Sequence, residues 1–191
     1  MIIFMYRIAV TNRHLCRGDF LNQIEKITQN NVYDAILLRE KDLSPQEYLK
    51  LAKEVISLSE RGKKKCILHN FPDAALELRH PYLHLPLRVW EQYEEKEFLR
   101  GKMKEIGTSV HSIEQAEEAM KLGADYVTAG HIFKTDCKKG LEPRGLGFLE
   151  KIVHAVSVPV YGIGGIHNDN EESVLEHGAV GVCIMSGCMR D

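Results

Sequence analysis

The fold of this chain is decided by residues 123–145, which read GADYVTAGHIFKTDCKKGLEPRG. Gly123 is the type of residue that ends a helix in the left-handed conformation, and the apolar residues 126–129 predict a short buried strand. The rest of the stretch has neither a helical nor an alternating period. An irregular loop of this length is uncommon in a compact domain and is typically functional when it is ordered. His131 stands where the predicted strand gives way to that loop.

The step from a helix-ending glycine into a strand occurs twice, as LGADYV at residues 122–127 and as HGAVGV at residues 177–182. Short apolar segments alternate with longer amphipathic ones along the whole chain, which is typical of βα units around a parallel sheet. The predicted strands cover residues 2–10, 35–38, 66–68, 82–85, 106–110, 126–129, 160–163 and 180–185. Eight strands in this order predict an α/β fold, a (β/α)8 TIM barrel, in a single domain that spans residues 1–191.

The helices between these strands carry recognisable start signals. Capping boxes, Ser44 with Glu47 and Ser112 with Gln115, predict the starts of two of them. Other helices are predicted at residues 20–28, 74–78, 91–103 and 146–156, and a later one is predicted to start at Asn168 or Asp169. Only six residues follow Met185, so we expect most or all of the last outer helix to be missing. A homodimer would cover the side of the ring left thin by that loss.

The bulk composition is ordinary for a soluble globular protein, with 191 residues, 44% hydrophobic, 27% charged and a formal net charge of −2. That charge offers no basic surface for nucleic acid, and no apolar run approaches the ~18 residues needed to span a bilayer. The five cysteines form no CxxC pair, which argues against a disulfide framework and a structural zinc site. These features predict a cytoplasmic protein without nucleic-acid or membrane partners.

The glycines after the last two predicted strands indicate a phosphate site. Catalytic groups of TIM barrels come from the carboxyl ends of the strands, and phosphate often binds after the seventh and eighth. The sequence GIGG closes the seventh predicted strand and MSG closes the eighth. Glycine lets backbone N–H groups approach an anion closely. We therefore predict a phosphate site at Gly162, Gly164 and Gly165 after the seventh strand and at Ser186 and Gly187 after the eighth, the alternative being that these glycines only form tight turns.

A charged cluster follows the second predicted strand. Its members Arg39 and Lys41 have the charge and the donors to hold an anionic group of a substrate. The alternative is that they belong to a solvated charge run in front of a helix.

His131 is the candidate for acid–base chemistry. Histidine has an ordinary pKa near 6.5, which suits proton transfer at neutral pH. The chain has nine histidines, and most histidines in proteins have surface or structural roles. His69 and His84 also lie at or near strand ends, where they could line the same cavity. The position of His131 at the end of a barrel strand distinguishes it, and the loop beyond it adds the candidates Thr135, Asp136, Cys137 and Lys138.

Taken together, these motifs resemble the superfamily of thiamine phosphate synthase and thiazole tautomerase (TenI). The resemblance is carried by residues 37–44, 130–140, 162–166 and 185–187, and it covers nearly the whole chain in the same order. GHIF at residues 130–133, followed by TDCKKG at residues 135–140, is closer to the tautomerase branch. The synthase branch usually has proline where His131 stands, and a TKTK-like run in the loop.

The tautomerase resemblance implies an isomerase that converts a non-aromatic carboxythiazole phosphate into its aromatic tautomer. Such a proton shift needs no metal or other cofactor, only an acid–base group, here His131. The resemblance places the phosphate on Gly164, Gly165 and Ser186. It places Thr135 and Lys138 over the ring and its carboxylate. The other residues expected to contact the substrate are Arg39, Lys41, Asn70, Ser109, Asp136, Cys137 and Met185.

The synthase resemblance implies a different reaction, the joining of a pyrimidine diphosphate to thiazole phosphate with Mg²⁺. The metal-binding aspartate of the synthase after the third strand aligns with Asn70, and its second metal aspartate has no counterpart in residues 85–88. A hard cation binds more weakly when carboxylates are lost. Because Arg39, Lys41 and Ser109 persist, as does Lys138, the synthase remains an alternative. A barrel that binds such phosphates without catalysis is a third.

Overall fold

Eight parallel strands close into a barrel in the computed structural model, which describes residues 5–138 and 140–190. The strands are β1 Tyr6–Val10, β2 Ala35–Leu38, β3 Lys65–His69, β4 Tyr82–Pro86, β5 Glu105–Val110, β6 Tyr126–Gly130, β7 Val160–Ile163 and β8 Gly181–Ile184. Each strand pairs with the next along the chain, and β1 pairs with β8 to complete the ring. The predicted TIM barrel is confirmed. Residues 2–4 of the first predicted strand, and Lys139 of the long loop, lie outside the described residues.

Helices cover the outside of the ring. They are α1 Phe20–Gln29, α2 Pro45–Arg61, α3 Pro72–Glu77, α4 Leu87–Gln92, α5 Lys96–Lys102, α6 Ile113–Lys121, α7 Leu146–Ala155, α8 Glu171–Glu176 and α9 Ser186–Arg190. The helix after β8 is thus a single short turn of five residues, as expected for the position of the last outer helix. Among the described residues, no helix is both long enough and apolar enough to cross a membrane.

Side chains alternate along the strands between two buried clusters. On β2, Ala35 and Leu37 belong to a cluster inside the barrel, whereas Ile36 and Leu38 belong to the larger one between the sheet and the helices. Both faces are apolar because a parallel barrel is covered on both sides. The same two-residue period places His69 on the inner face of β3, since Ile67 belongs to the inner cluster. The alternation of side chains along each strand therefore decides which histidines can reach the interior of the barrel.

The helix predicted at residues 91–103 is wrong, because the chain forms α4 and α5 with a break between them. Tyr93 takes an extended conformation at the end of α4, and its hydroxyl donates to the carboxylate of Asp73 at 2.7 Å. The break lets both Trp90 and Leu99 reach the core, where they are 1% and 0% exposed. In an unbroken helix these two residues, nine positions apart, would point to opposite faces, because a turn takes 3.6 residues.

The predicted starts of α2 and α6 are confirmed, whereas that of α8 is corrected. Ser44 and Glu47 form the reciprocal capping box of α2. At α6 the Ser112 hydroxyl accepts from the N–H of Gln115, but the Gln115 amide oxygen accepts from the N–H of His111 instead of that of Ser112. The start of α8 lies after Asn168 and Asp169, with Asn170 at the N-cap position.

Candidate active site

A cavity of about 660 Å³ opens at the carboxyl end of the barrel, within the size range of small-molecule sites. The predicted site residues that line it are Arg39, Lys41, Ser109, His131, Thr135, Asp136, Cys137, Lys138, Gly164, Gly165, Met185 and Ser186. Asn70 is not among its lining residues. It has a left-handed φ of +69°, and its N–H donates to the carbonyl of His84 at 3.1 Å. Asn70 therefore turns the chain out of β3 into α3.

His131 lies in the wall of this cavity, and its backbone is held on both sides. Its carbonyl accepts from the N–H of Arg144 at 3.0 Å, and the next N–H, that of Ile132, donates to Ile163 on β7 at 3.0 Å. The Nε2 atom lies 3.4 Å from the carbonyl oxygen of Leu141, a long and weak hydrogen bond. The side chain is 9% exposed. The backbone of His131 is thus fixed in place, while its Nε2 atom is only weakly engaged.

Two glycines let the loop after β7 pack against His131. Gly164 and Gly165 have φ values of +99° and +68°, and a Cβ on Gly164 would overlap the Cβ of His131. A Cβ on Gly165 would lie 2.5 Å from the carbonyl oxygen of Lys134. The Asn170 side chain holds this loop, because its amide donates to the carbonyl of Gly165 at 2.9 Å. The Asn170 Oδ1 accepts from the N–H of His167 at 2.8 Å, which explains why Asn170 does not cap α8 with its side chain.

Five cationic side chains line the cavity without an ion pair in the part of the chain that the structure describes, namely Arg39, Lys41, Lys134, Lys138 and Arg190. Burial lowers the pKa of Arg39. The pKa of Lys41 is lowered by burial first and then by the nearby charges of Arg39 and Lys138. Cations that repel one another in a partly buried mouth provide a site for an anion.

The charge of the neighbouring Glu40 acts to raise the pKa of Arg39, although burial has the larger, opposite effect. The hydrogen bonds of the Glu40 carboxylate go to other residues. It accepts from the Thr11 hydroxyl at 2.7 Å and from the guanidinium of Arg13 at 3.0 Å. Glu40 is only 2% exposed. It therefore anchors the loop after β2 and leaves Arg39 and Lys41 available to a ligand.

A histidine with both ring nitrogens bonded lies deeper in the barrel. The His84 Nδ1 lies 3.0 Å from the Tyr126 hydroxyl, and its Nε2 lies 2.8 Å from the Ser109 hydroxyl. Thr128 donates to the same Ser109 oxygen at 3.1 Å. Burial lowers the pKa of His84 to about 3, so this imidazole is neutral. The network fixes the Ser109 hydroxyl at the floor of the cavity.

His69 stacks on His84, with ring centroids 5.7 Å apart and an interplanar angle of 14°. Its pKa lies well below the ordinary histidine value, because of burial first and then because of His84, Arg39 and Lys41. Both histidines line the cavity, as their positions near strand ends allowed. They form a neutral wall between β3 and β5.

The sequence reasoning missed two further histidines that line the cavity, His111 and His167. The signal for His111 was available, since it stands between the last residue of β5 and the N-cap Ser112. Burial lowers the pKa of His111 first, followed by the charges of Arg144 and Lys138. His167 follows the two glycines of the β7 loop, where no pattern marked it.

The carboxylates around the cavity do not fit the two-aspartate magnesium site that the synthase resemblance implies. Among the lining residues within the described ranges, Asp136 alone carries a carboxylate. Asn70, at the position of the first metal aspartate, offers no charge. No group of three or more histidine, cysteine, aspartate or glutamate side chains that could hold a metal occurs in the described part of the chain. Hard divalent cations prefer several carboxylate oxygens.

Comparison with known proteins identifies the relatives of this architecture. The family described as "Thiamine monophosphate synthase" (TMP-TENI) matches residues 7–188. The chain is 33% identical to the thiamine-phosphate synthase of Clostridium acetobutylicum over 94% of this chain and 85% of that protein. It is 32% identical to that of Fusobacterium nucleatum, over 95% and 88%.

A solved structure gives the same answer for the fold. The thiamine phosphate pyrophosphorylase from Pyrococcus furiosus superposes with a TM-score of 0.82 at 29% identity, covering 98% of this chain and 88% of that one.

Proposed function

This chain belongs to the thiamine monophosphate synthase (TMP-TENI) family, and on that premise we propose that it aromatises a carboxythiazole phosphate as a tautomerase. The observation that carries the proposal is the placement of His131. It lies in the cavity wall against Gly164, and the described residues that line the same cavity carry five cationic side chains and a single carboxylate. An acid–base group with anion-binding side chains around it suits a proton shift on a doubly anionic substrate.

The proposed reaction breaks one C–H bond and forms another. In the non-aromatic isomer one ring carbon is saturated and carries a hydrogen. The imidazole of His131 removes that hydrogen as a proton, and the electron pair of the C–H bond enters the conjugated system. The protonated His131 then returns a proton to a second carbon, which leaves the aromatic ring. No atom is gained or lost, and the histidine ends as it began.

The anionic groups of the substrate are proposed to hold the ring in register with His131. The phosphate contacts Gly164, Gly165 and Ser186, where glycine lets the backbone come close. The carboxylate faces Lys41 and Lys138. Fixing both ends presents the reacting carbons to one imidazole, and positioning of this kind supplies a large part of the rate enhancement in enzymes.

Thiamine phosphate synthase is the second candidate, favoured by the names of the relatives. Arg39, Lys41 and Ser109 are compatible with it. The carboxylates expected for its metal are the feature that the cavity does not supply. The absence of metal carboxylates among the described lining residues favours the tautomerase, whereas the family match, the named relatives and the presence of Arg39, Lys41 and Ser109 favour the synthase.

One assay separates the two candidates. The purified protein is incubated with the non-aromatic carboxythiazole phosphate in a metal chelator, and separately with pyrimidine diphosphate, thiazole phosphate and Mg²⁺. The tautomerase predicts aromatisation in the first tube and no thiamine phosphate in the second. Thiamine phosphate in the second tube, with no change in the first, would establish the synthase. Binding in both tubes without turnover would indicate a non-catalytic protein.

A further inference from the structure

His69 lies across the barrel from His131. It is the last residue of β3, and His131 directly follows β6, three strands further around a closed ring of eight. Both side chains line the same cavity. A flat ring bound between them would therefore present one edge to each histidine.

The two nitrogens of the His69 ring have different surroundings. Among the described residues, its Nδ1 is the one fully buried side-chain polar atom without a hydrogen-bond partner. The ring as a whole is 3% exposed, and it contributes to the cavity wall. A buried N–H without an acceptor costs more than a proton facing a polar cavity. The proton of the neutral ring is therefore assigned to Nε2, the other nitrogen of a side chain that lines the cavity.

The backbone of His69 is fixed in this orientation. Its N–H donates to the Tyr48 hydroxyl at 2.7 Å, and that hydroxyl donates to the carbonyl of Leu38 at 2.8 Å. On one face the ring stacks on His84. A donor held this way needs little reorganisation when charge appears in front of it, which is the condition for electrostatic stabilisation of a transition state.

The other histidine of this wall is not available for such a role. Both nitrogens of His84 are already bonded, one to Tyr126 and one to Ser109. His69 is thus the neutral imidazole of the pair that keeps a donor without a partner.

We propose that His69 donates its Nε2–H to the substrate where negative charge develops, an inference that rests on the tautomerase function proposed above. When His131 removes the proton, the electron pair of the broken C–H bond spreads over the conjugated ring and its carboxylate. His69 shares that charge through a hydrogen bond and keeps its own proton. When His131 returns a proton to the second carbon, the charge disappears and the bond weakens. Arg39 and Lys41, whose charges reach His69, favour the same edge of the ring.

The test compares His69→Leu and His69→Gln with the wild type, and His154→Leu serves as a matched control because His154 is exposed on α7. Removing one donor of this kind typically lowers kcat by about 10²–10³-fold. We expect that loss for His69→Leu, with affinity for the aromatic product changed less than about threefold. His69→Gln retains an N–H donor and should recover at least about tenfold of the lost rate.

A kinetic isotope effect separates this role from a purely structural one. With deuterium on the saturated ring carbon, His69→Leu should show a larger primary isotope effect than the wild type, because proton removal becomes more rate-limiting. An unchanged kcat in His69→Leu would overturn the proposal and leave the tautomerase intact. Equal losses in kcat/KM and product affinity, with kcat retained, would also overturn it, since they indicate uniform binding. No turnover by the wild type would instead refute the tautomerase, and this inference with it.

A measurement on the wild type keeps the proposal testable if His69→Leu does not fold. Nitrogen-15 NMR of the histidine-labelled protein at pH 7 should show His69 as a neutral ring protonated on Nε2. Adding the aromatic product should shift that N–H resonance. A charged ring, protonation on Nδ1, or no response to the product would contradict the assignment.

Discussion

The two ends of the barrel interior handle charge differently. At the amino end, Lys65 on β3 pairs with Glu105 on β5 at 2.7 Å, and its ammonium also lies 4.7 Å from the centre of the Tyr82 ring. Tyr6 and Tyr161 contact each other edge to face beside them. These five residues form what we call the base plug. It contains one positive and one negative charge, and aromatic rings fill the remaining space.

At the carboxyl end the charges are unbalanced. Arg39, Lys41 and Lys138 face the cavity without an ion pair in the described residues. Burial first, and then the charges of Arg39 and Lys138, lower the pKa of Lys41. The base plug satisfies its own charges and so supports the fold, whereas the mouth leaves them for a ligand. A protein that keeps unpaired cations in a pocket loses stability there for the sake of binding. The predictions below test that division, from the largest expected effect to the smallest.

The largest expected effect at the carboxyl end of the barrel, with none at the base plug, is that of His131→Asn. A positioned acid–base group contributes about 10²–10⁴-fold to a rate, so we expect turnover of the carboxythiazole isomer to fall by that factor. Affinity for the aromatic product, measured by calorimetry, should remain, because the cations and glycines are untouched. His154→Asn is the control on an exposed histidine. Full activity in His131→Asn would remove His131 from the mechanism.

Gly164→Ala should damage the mouth through geometry alone. The added Cβ would overlap that of His131, and the φ of +99° is unfavourable for any side chain. Displacing a catalytic group by about 1 Å can cost about 10²-fold in rate. Gly147→Ala is the matched control, since a Cβ there meets nothing within 4 Å. Steady-state kinetics of the two variants should differ by that factor, and equal rates would show that the contact is unimportant.

Charge removal should have opposite consequences at the two ends. Lys41→Ala removes a cation that others repel, so the free energy of unfolding should stay the same or rise, while affinity for the anionic product falls by about tenfold or more. Glu105→Gln breaks the base-plug pair, and should cost ~1 kcal/mol of stability with kcat unchanged. Denaturant titration and calorimetry check both variants. A destabilised Lys41→Ala with normal product affinity would reverse the assignment.

The neutral histidine wall should make stability sensitive to acid. His84 has a pKa of about 3 in the folded protein, whereas an unfolded histidine takes up its proton near pH 6.5. The unfolded state therefore binds more protons between these values, so stability is full above about pH 6.5 and falls as the pH drops towards 3. His84→Gln should flatten this dependence by up to ~1.4 kcal/mol per pH unit, as measured by urea unfolding at pH 6.5 and 5.5. Equal slopes in the two proteins would show that His84 is not buried as a neutral base.

The sequence was sufficient for the barrel and for the loop that carries His131. Gly123 and Gly178, which have left-handed φ values, each end a helix just before a strand, so local chemistry marks the boundaries of two of the units. The capping box of α2 worked for the same reason. These signals depend on a few neighbouring residues and survive without tertiary information.

The neutral wall could only be guessed from the sequence. His69 and His84 are brought together by the register of β3 against β4, which pairs them directly, and no local pattern sets that register. The break between α4 and α5 depends on the hydrogen bond from the Tyr93 hydroxyl to Asp73, which lies on α3. The cavity position of His111 also depends on packing around the loop. Contacts between distant segments decide these features, and residue types alone do not.

The most direct test of the account is the fate of the non-aromatic carboxythiazole phosphate with the wild-type protein in D₂O and a metal chelator. Proton NMR should show the aromatic product forming. The carbon that gains a proton should carry deuterium when the proton on His131 has exchanged with D₂O before it is returned. The rate should fall about 10²–10⁴-fold with His131→Asn. An isomer that remains unchanged in chelator, together with thiamine phosphate formed only when Mg²⁺ and pyrimidine diphosphate are supplied, would contradict the account.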